Sequence, residues 1–155
     1  MRRAAALLVL ALSAAPAAAE IDAAATCARI EAAAAVHGLP APFLARLIWT
    51  ESRFDPKAVS PKGAQGVAQF MPATAKLRGL ADPFDRDSAI DAAAAYLAEL
   101  RGRFGNLGLA AAAYNAGEGR VSDWLAGRSG LPRETRRYVP AVTGSAAEAF
   151  RRPGA

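Results

Sequence analysis

One cysteine and one histidine are all the thiol and imidazole in this chain. Cys27, standing alone, excludes an internal disulfide. Cys27 and His37 together fall short of the ligand set that a zinc site needs, so metal catalysis is not expected. A Ser/His/Asp triad would have to be built on His37, which lies beside Gly38 and reads as a partner of a helix C-terminus. The apolar run Ala4 to Ala15 is too short to span a bilayer comfortably. No strand-type alternation is convincing, no internal repeat recurs and no linker divides the chain. A glycine-containing loop, Asp55 to Gly66, lacks the Lys-Ser/Thr ending of a phosphate-binding loop. No basic run reads as a nucleic-acid arm and no zinc-finger spacing occurs, so nucleic acid is not an expected partner.

What the chain does contain is alanine and charge. Its 155 residues are 53% hydrophobic, which suits one soluble domain. Much of that apolar content is alanine, so the core must come from close helix packing more than from large side chains. The formal charge is +5. The start, MRRAAALLVLALSAAPAAAE, has the layout of a signal peptide over residues 1–19. Arg2 and Arg3 form its charged region, and Ala17 and Ala19 offer small residues before a cut that leaves Glu20 first. The remainder carries 17 basic and 14 acidic residues, a balance of +3 that allows an anionic polymer as partner. The expected organisation is a signal peptide over 1–19, one domain over 20–150 and a tail over 151–155. Export and no stable membrane span after signal removal follow. Cys27 has no leucine three residues before it, which argues against a lipoprotein signal. It is expected as a buried, inert thiol in the first helix.

Helix punctuation is clear. Residues 22–37 read as a helix by propensity, ended by Gly38 and Pro40. Pro42 to Ser52 reads as a second, with proline in its first turn. Pro72 opens a short helix closed by Gly79. Asp87 is expected to cap a helix over Ser88 to Phe104, with Ile90, Ala93, Ala94, Leu97 and Leu100 as its buried stripe and Tyr96 half-buried. A further helix carries Leu107, Ala110, Ala111 and Tyr114 on one face. Val121 to Leu125 reads as a short helix, and Pro132 suits the first turn of a last one. The fold expected is mainly α, with any sheet minimal and confined to the irregular loop after the second helix.

Glu51 is the residue of greatest chemical interest. Leu44, Leu47 and Ile48 fall on one stripe of their helix, and Glu51 lies on that stripe. A carboxylate aimed that way, in a last turn where the dipole disfavours an anion, has its pKa pushed upward. The other reading of the same spacing is a helix-end Glu that faces water. Gln69, in an apolar run, either satisfies local backbone or accepts from a ligand hydroxyl. Tyr114 either packs or holds its hydroxyl over a pocket, and Asn115 beside it suits a turn. Glu134 and Tyr138 are neighbours four apart on the last helix. Asp55, before Pro56 in the loop, is the weaker candidate for a second acid.

Separate stretches then converge. Glu51-Ser52-x-Phe54-x-Pro56-x-Ala58-x-Ser60 with Gly63 to Pro72-x-Thr74-Ala75 resembles the catalytic region of the soluble lytic transglycosylase family. Ala111 to Gly117 (AAAYNAG) resembles its second motif, and Leu131-Pro132-x-Glu134-Thr135-x-x-Tyr138-Val139 its third. The resemblance implies a lysozyme-like helical domain that needs no cofactor and cleaves the glycan strands of peptidoglycan between N-acetylmuramic acid and N-acetylglucosamine. It implies Glu51 as the single acid/base and 1,6-anhydromuramyl ends as product. Gln69, Tyr114 and Tyr138, with Ala68 and Ser60, would line the sugar cleft, while Ser52, Gly66, Asn115 and Gly117 would shape it. Ala68 departs from the methionine usual before that glutamine, and is expected to widen the cleft. The resemblance is to small, specialised members that open the wall for secretion, conjugation or appendage assembly, in the periplasm of a Gram-negative bacterium. The alternatives are a hydrolytic muramidase and a peptidoglycan-binding assembly protein without turnover.

Overall fold

Asp22 starts the first helix by accepting the backbone N–H of Ala25 at 2.9 Å, an N-cap that satisfies one orphan donor. From there the computed structural model describes residues 22–151. The helices are α1 (Ala23–Val36), α2 (Ala41–Ser52), α3 (Pro72–Leu77), α4 (Arg86–Phe104), α5 (Leu107–Ala116), α6 (Glu118–Leu125) and α7 (Arg133–Thr143). A 3-10 turn, Ala147–Arg151, follows. No described helix is long and apolar enough to cross a membrane. The anticipated signal peptide and the end of the tail, 152–155, lie outside the described residues.

Helix ends follow local chemistry. Proline precedes or opens α2, α3 and α7, where its missing N–H costs nothing. Asp85, not Asp87, caps α4: its carboxylate accepts from Ser88 N–H at 2.8 Å, and Asp87 falls inside the first turn. Both positions offer an aspartate, and sequence does not separate them. Cys27 also differs from expectation. It is exposed, because Thr26 and Ile30 take the buried stripe of α1.

Helix α5 is the hub. Gly108 through Ala113 are all buried, and α4, α6, α7 and the 3-10 turn each pack on it. Side chains no larger than a methyl dominate this stretch, so several helices can approach at once. A Cβ on Gly108 would come within 2.1 Å of the Phe150 ring, so glycine there lets the C-terminal turn dock. Asn106 secures the same turn by donating to the Phe150 carbonyl at 3.0 Å. On the other side, α2 lies between α1 and α7, with Leu44, Leu47 and Ile48 fully buried.

Between α2 and α3 runs an irregular connection. Among the described residues the anticipated minimal sheet reduces to two isolated bridges, Val59 with Gln65 and Gln65 with Phe70. Gly66 holds this connection against the chain before α4. Its φ is 73°, and a Cβ there would sit 1.7 Å from the Pro83 carbonyl oxygen. Gly66→Ala should therefore combine backbone strain with a hard clash and cost roughly 2–4 kcal/mol. Urea unfolding of the two proteins measures this, and equal midpoints would refute it.

Candidate active site

Glu51 occupies the last turn of α2, whose apolar stripe turns it inward. Across from it, α7 presents Tyr138, which is buried by Thr135, Val139 and Val142 packing inward on the same face. The Tyr138 hydroxyl donates to Glu51 Oε1 at 2.5 Å, a short charge-assisted contact. The two helices are pinned near this point by Arg46, whose Nε donates to the Val142 carbonyl at 2.7 Å. Burial raises the Glu51 carboxyl to about 7. The Tyr138 hydrogen bond pulls it down, and the nearby Glu134 charge pushes it up. Glu51 is half-buried there, turned toward α7 and not out into bulk solvent.

Past Ser52 the backbone is held in unusual conformations. Arg53, Phe54 and Gln69 all have positive φ, at 58°, 67° and 52°. Such residues persist only where surrounding contacts over-determine them. Ser52 supplies one such contact, its hydroxyl donating to the Val67 carbonyl at 2.7 Å. Ser60 folds the loop by accepting from Ala64 N–H at 3.0 Å. Gln69 Nε2 donates to the carbonyls of Ala58 and Gly66, at 3.1 and 2.9 Å. Two carbonyl partners require the NH₂ group on that side, which turns the Gln69 carbonyl oxygen the other way as an acceptor. Tyr114 donates to the Ala68 carbonyl at 2.8 Å. Thr135 donates to Asn115 Oδ1 at 2.8 Å, which leaves the Asn115 NH₂ as the donor available elsewhere.

These groups surround a cleft of about 530 Å³. Glu51, Ser60, Gln69, Tyr114, Asn115 and Tyr138 all line it. Gly66, Ser52 and Gly117 are not in the wall. Ala68 is not in the wall either. Its side chain is fully buried in the core, so it does not widen the cleft as expected. What Ala68 contributes is its carbonyl, the acceptor for Tyr114. Asp55, the weaker acid candidate, is outside the cleft wall and accepts from the Lys57 N–H at 2.8 Å. The second carboxylate in the wall is Glu134, paired with Lys62 at 3.2 Å across 72 residues of sequence. Sequence reasoning placed Glu134 only beside Tyr138, and missed Lys62, Met71 and Arg120 in the wall. Lys62 lies in the loop and Arg120 on the short helix α6, and neither position carries a sequence signal of where its side chain points. A second hollow of about 440 Å³, lined by residues such as Gln65, Lys76, Leu80 and Pro83, has no carboxylate or hydroxyl in its wall.

A raised carboxyl ending a buried helix, facing a cleft within a helical shell, is the arrangement of the lysozyme-like fold. The family described as Transglycosylase SLT domain matches residues 28–136, and the chain belongs to that family. It is 42% identical over 101 residues to membrane-bound lytic murein transglycosylase F of Desulfosudis oleivorans, over 61% of this chain and 22% of that protein. The lytic transglycosylase Slt of Pseudomonas aeruginosa, solved as an inactive mutant, matches with TM-score 0.67 and 35% identity, over 79% of this chain and 23% of that one. The 70 kDa soluble lytic transglycosylase of Escherichia coli matches with TM-score 0.66 and 30% identity, over 81% of this chain and 24% of that one. The chain thus spans about a quarter or less of the length of these relatives.

Two measurements test the electrostatics. Tyr138→Phe keeps the ring and removes the donor that favours the carboxylate, so the Glu51 pKa should move above its value near 7. Carbon-13 NMR titration of the carboxyl reads this, and an unmoved midpoint would show that the hydroxyl does not stabilise the anion. Stability should respond as well. The folded pKa of Glu51 lies above its unfolded value of 4.5, so the folded state holds a proton that the unfolded state has lost between those pH values. Glu51 therefore destabilises increasingly as pH rises from 4.5 to about 7. Glu51→Gln should be more stable than wild type by about 3 kcal/mol near pH 8, with no difference at about pH 4. Urea unfolding at both pH values measures it.

Proposed function

We propose that this cleft cleaves the β-1,4 bond between N-acetylmuramic acid and N-acetylglucosamine in peptidoglycan, and that Glu51 alone acts as acid and base. The observation that carries this reading is the Glu51 carboxyl raised to about 7 with Oε1 held by Tyr138. Near neutral pH such a group exists in both protonation states, as a group that first gives and then takes a proton requires. With Oε1 engaged, Oε2 is the oxygen left to carry the proton.

The steps then follow the substrate's own chemistry. Protonated Glu51 gives its proton to the glycosidic oxygen as the bond to the muramyl C1 breaks. The muramyl N-acetyl oxygen bonds to C1 and holds the positive charge. The C6 hydroxyl next attacks C1, the N-acetyl oxygen departs, and the Glu51 carboxylate takes the C6 proton. The product is a 1,6-anhydromuramyl end and no water is consumed. Glycoside hydrolysis normally employs two carboxylates. Here the other acid in the wall, Glu134, is occupied by Lys62, and the internal nucleophile makes a second one unnecessary. The Gln69 carbonyl oxygen and the Asn115 NH₂ offer an acceptor and a donor to sugar hydroxyl and N-acetyl groups. The Tyr114 ring forms part of the wall between them, and Ser60 lies at its loop side.

Export to the periplasm belongs to the same reading, supported by the charged start, apolar run and small-residue cut site of residues 1–19. Action beside a secretion, conjugation or appendage assembly complex is part of the same proposal.

Purified mature protein incubated with cell-wall sacculi tests the reaction. Mass spectrometry should find anhydro ends as primary products, one water lighter than reducing ends. Glu51→Gln should lower cleavage at least about a hundredfold while glycan binding survives. Reducing ends as primary products would make the enzyme a muramidase. Absence of soluble muropeptides across pH and salt would leave a binding protein.

A further inference from the structure

We infer that Arg78 and Tyr96, neither of which lines the cleft, form a positioning pair that sets the glycan-binding wall at Tyr114 and Gln69. The inference rests on the glycan reading of the cleft and adds residues to it. Arg78 is the C-cap residue of α3, and Tyr96 lies mid-way along α4. Glu99, one turn further on, grips the Arg78 guanidinium by a two-nitrogen ion pair. The guanidinium lies over Tyr96, its central carbon 3.6 Å from the ring centroid. The Tyr96 ring in turn rests on Tyr114, with centroids 5.5 Å apart and planes tilted by 43°. Phe70 also meets Tyr114, with centroids 6.0 Å apart and the rings edge to face. Tyr114 is therefore held by an aromatic ring from the loop and one from α4.

These contacts matter because of what Tyr114 holds. Its hydroxyl bonds the Ala68 carbonyl, and that carbonyl belongs to the peptide unit leading into Gln69. Gln69 has φ 52°, a conformation a non-glycine residue keeps only under external constraint. Fixing the preceding peptide supplies that constraint, and the Gln69 side chain is in the cleft wall. The links are contiguous: Glu99, Arg78, Tyr96, Tyr114, the Ala68 carbonyl, Gln69. Arginine suits the outer place because its planar cation stacks on a ring and keeps its in-plane donors for a carboxylate. Lysine would keep the charge and lose the planar cation. Glu51 makes its hydrogen bond to Tyr138 on α7 and not to a member of this chain of contacts.

Binding and turnover separate this role from simple packing. Each variant is made in the mature chain, and binding is measured with Glu51→Gln also present, using the neutral N-acetylglucosamine tetramer as probe. Arg78→Ala should weaken tetramer binding about threefold to tenfold, and kcat/KM on sacculi by a similar factor. The pH midpoint of cleavage should stay at its wild-type value, because the Glu51–Tyr138 contact is untouched. Arg78→Lys should recover the melting temperature through its pairing with Glu99 while affinity stays low. Tyr96→Phe, which keeps the ring, should restore the binding that Tyr96→Leu loses. Wild-type affinity and kcat/KM in Arg78→Ala and Tyr96→Leu, with only the melting temperature lowered, would overturn the inference. So would a displaced pH midpoint in Arg78→Lys, since the effect would then run through Glu51. Wild-type protein that binds the tetramer but releases no muropeptides would overturn the transglycosylase reading, and the binding comparison would still decide on the pair.

Discussion

The short hydrogen bond between Glu51 and Tyr138 is the contact on which the chemistry of the cleft depends, and the packing of α2 and α7 is what holds it. A half-buried carboxyl is costly to ionise, and one hydroxyl offsets only part of that cost. The fold keeps Glu51 inward because its helix buries Leu44, Leu47 and Ile48 on the same side. It keeps Tyr138 opposite because α7 packs on both α2 and α5. Arg46, bonded to the Val142 carbonyl near the end of α7, pins the same pair of helices and places a cation where that end of the dipole favours one. Stability and chemistry thus oppose each other at one residue: the burial that raises its pKa is the burial that the fold must offset elsewhere.

The loop after α2 has the same character. Three residues with side chains adopt positive φ within it, where glycine is the ordinary choice. Their strain is balanced by a small number of directed hydrogen bonds: Ser52 to Val67, Gln69 to Ala58 and Gly66, Tyr114 to Ala68. The loop also has a hard stop on its outer side, where Gly66 meets Pro83. A sheet would have supplied its own ladder of backbone bonds. With only isolated bridges, the loop relies on side chains from α2 and α5.

Charge is distributed around the cleft in a matching way. Lys62 and Glu134 neutralise one another at its wall, both well exposed, so their mutual attraction adds little to stability. Their positions matter more than their energy, since Glu134 is one of the groups that keep the Glu51 carboxyl raised.

Local signals alone account for much of the molecule. Alanine-rich runs, prolines at helix starts and glycines at helix ends mark the helices, because each acts through the backbone of its own segment. They leave ambiguity where two equivalent caps stand close, as with Asp85 and Asp87, and where one face must be chosen, as with Cys27. The spacing of Leu44, Leu47 and Ile48 already puts Glu51 on an apolar stripe. Whether that stripe is covered at its last turn depends on α7, more than eighty residues away in sequence. The same holds for Ala68, whose neighbours in sequence belong to a cleft motif while its own side chain enters the core. Lys62 meets Glu134 only because the loop after α2 folds against α7, and Tyr96 meets Tyr114 only because α4 packs on α5. Helix formation is decided within a few residues of chain. Burial of a carboxyl, the partner of a hydroxyl and the wall of a cleft are decided by what packs against them, and only the tertiary structure brings those groups together.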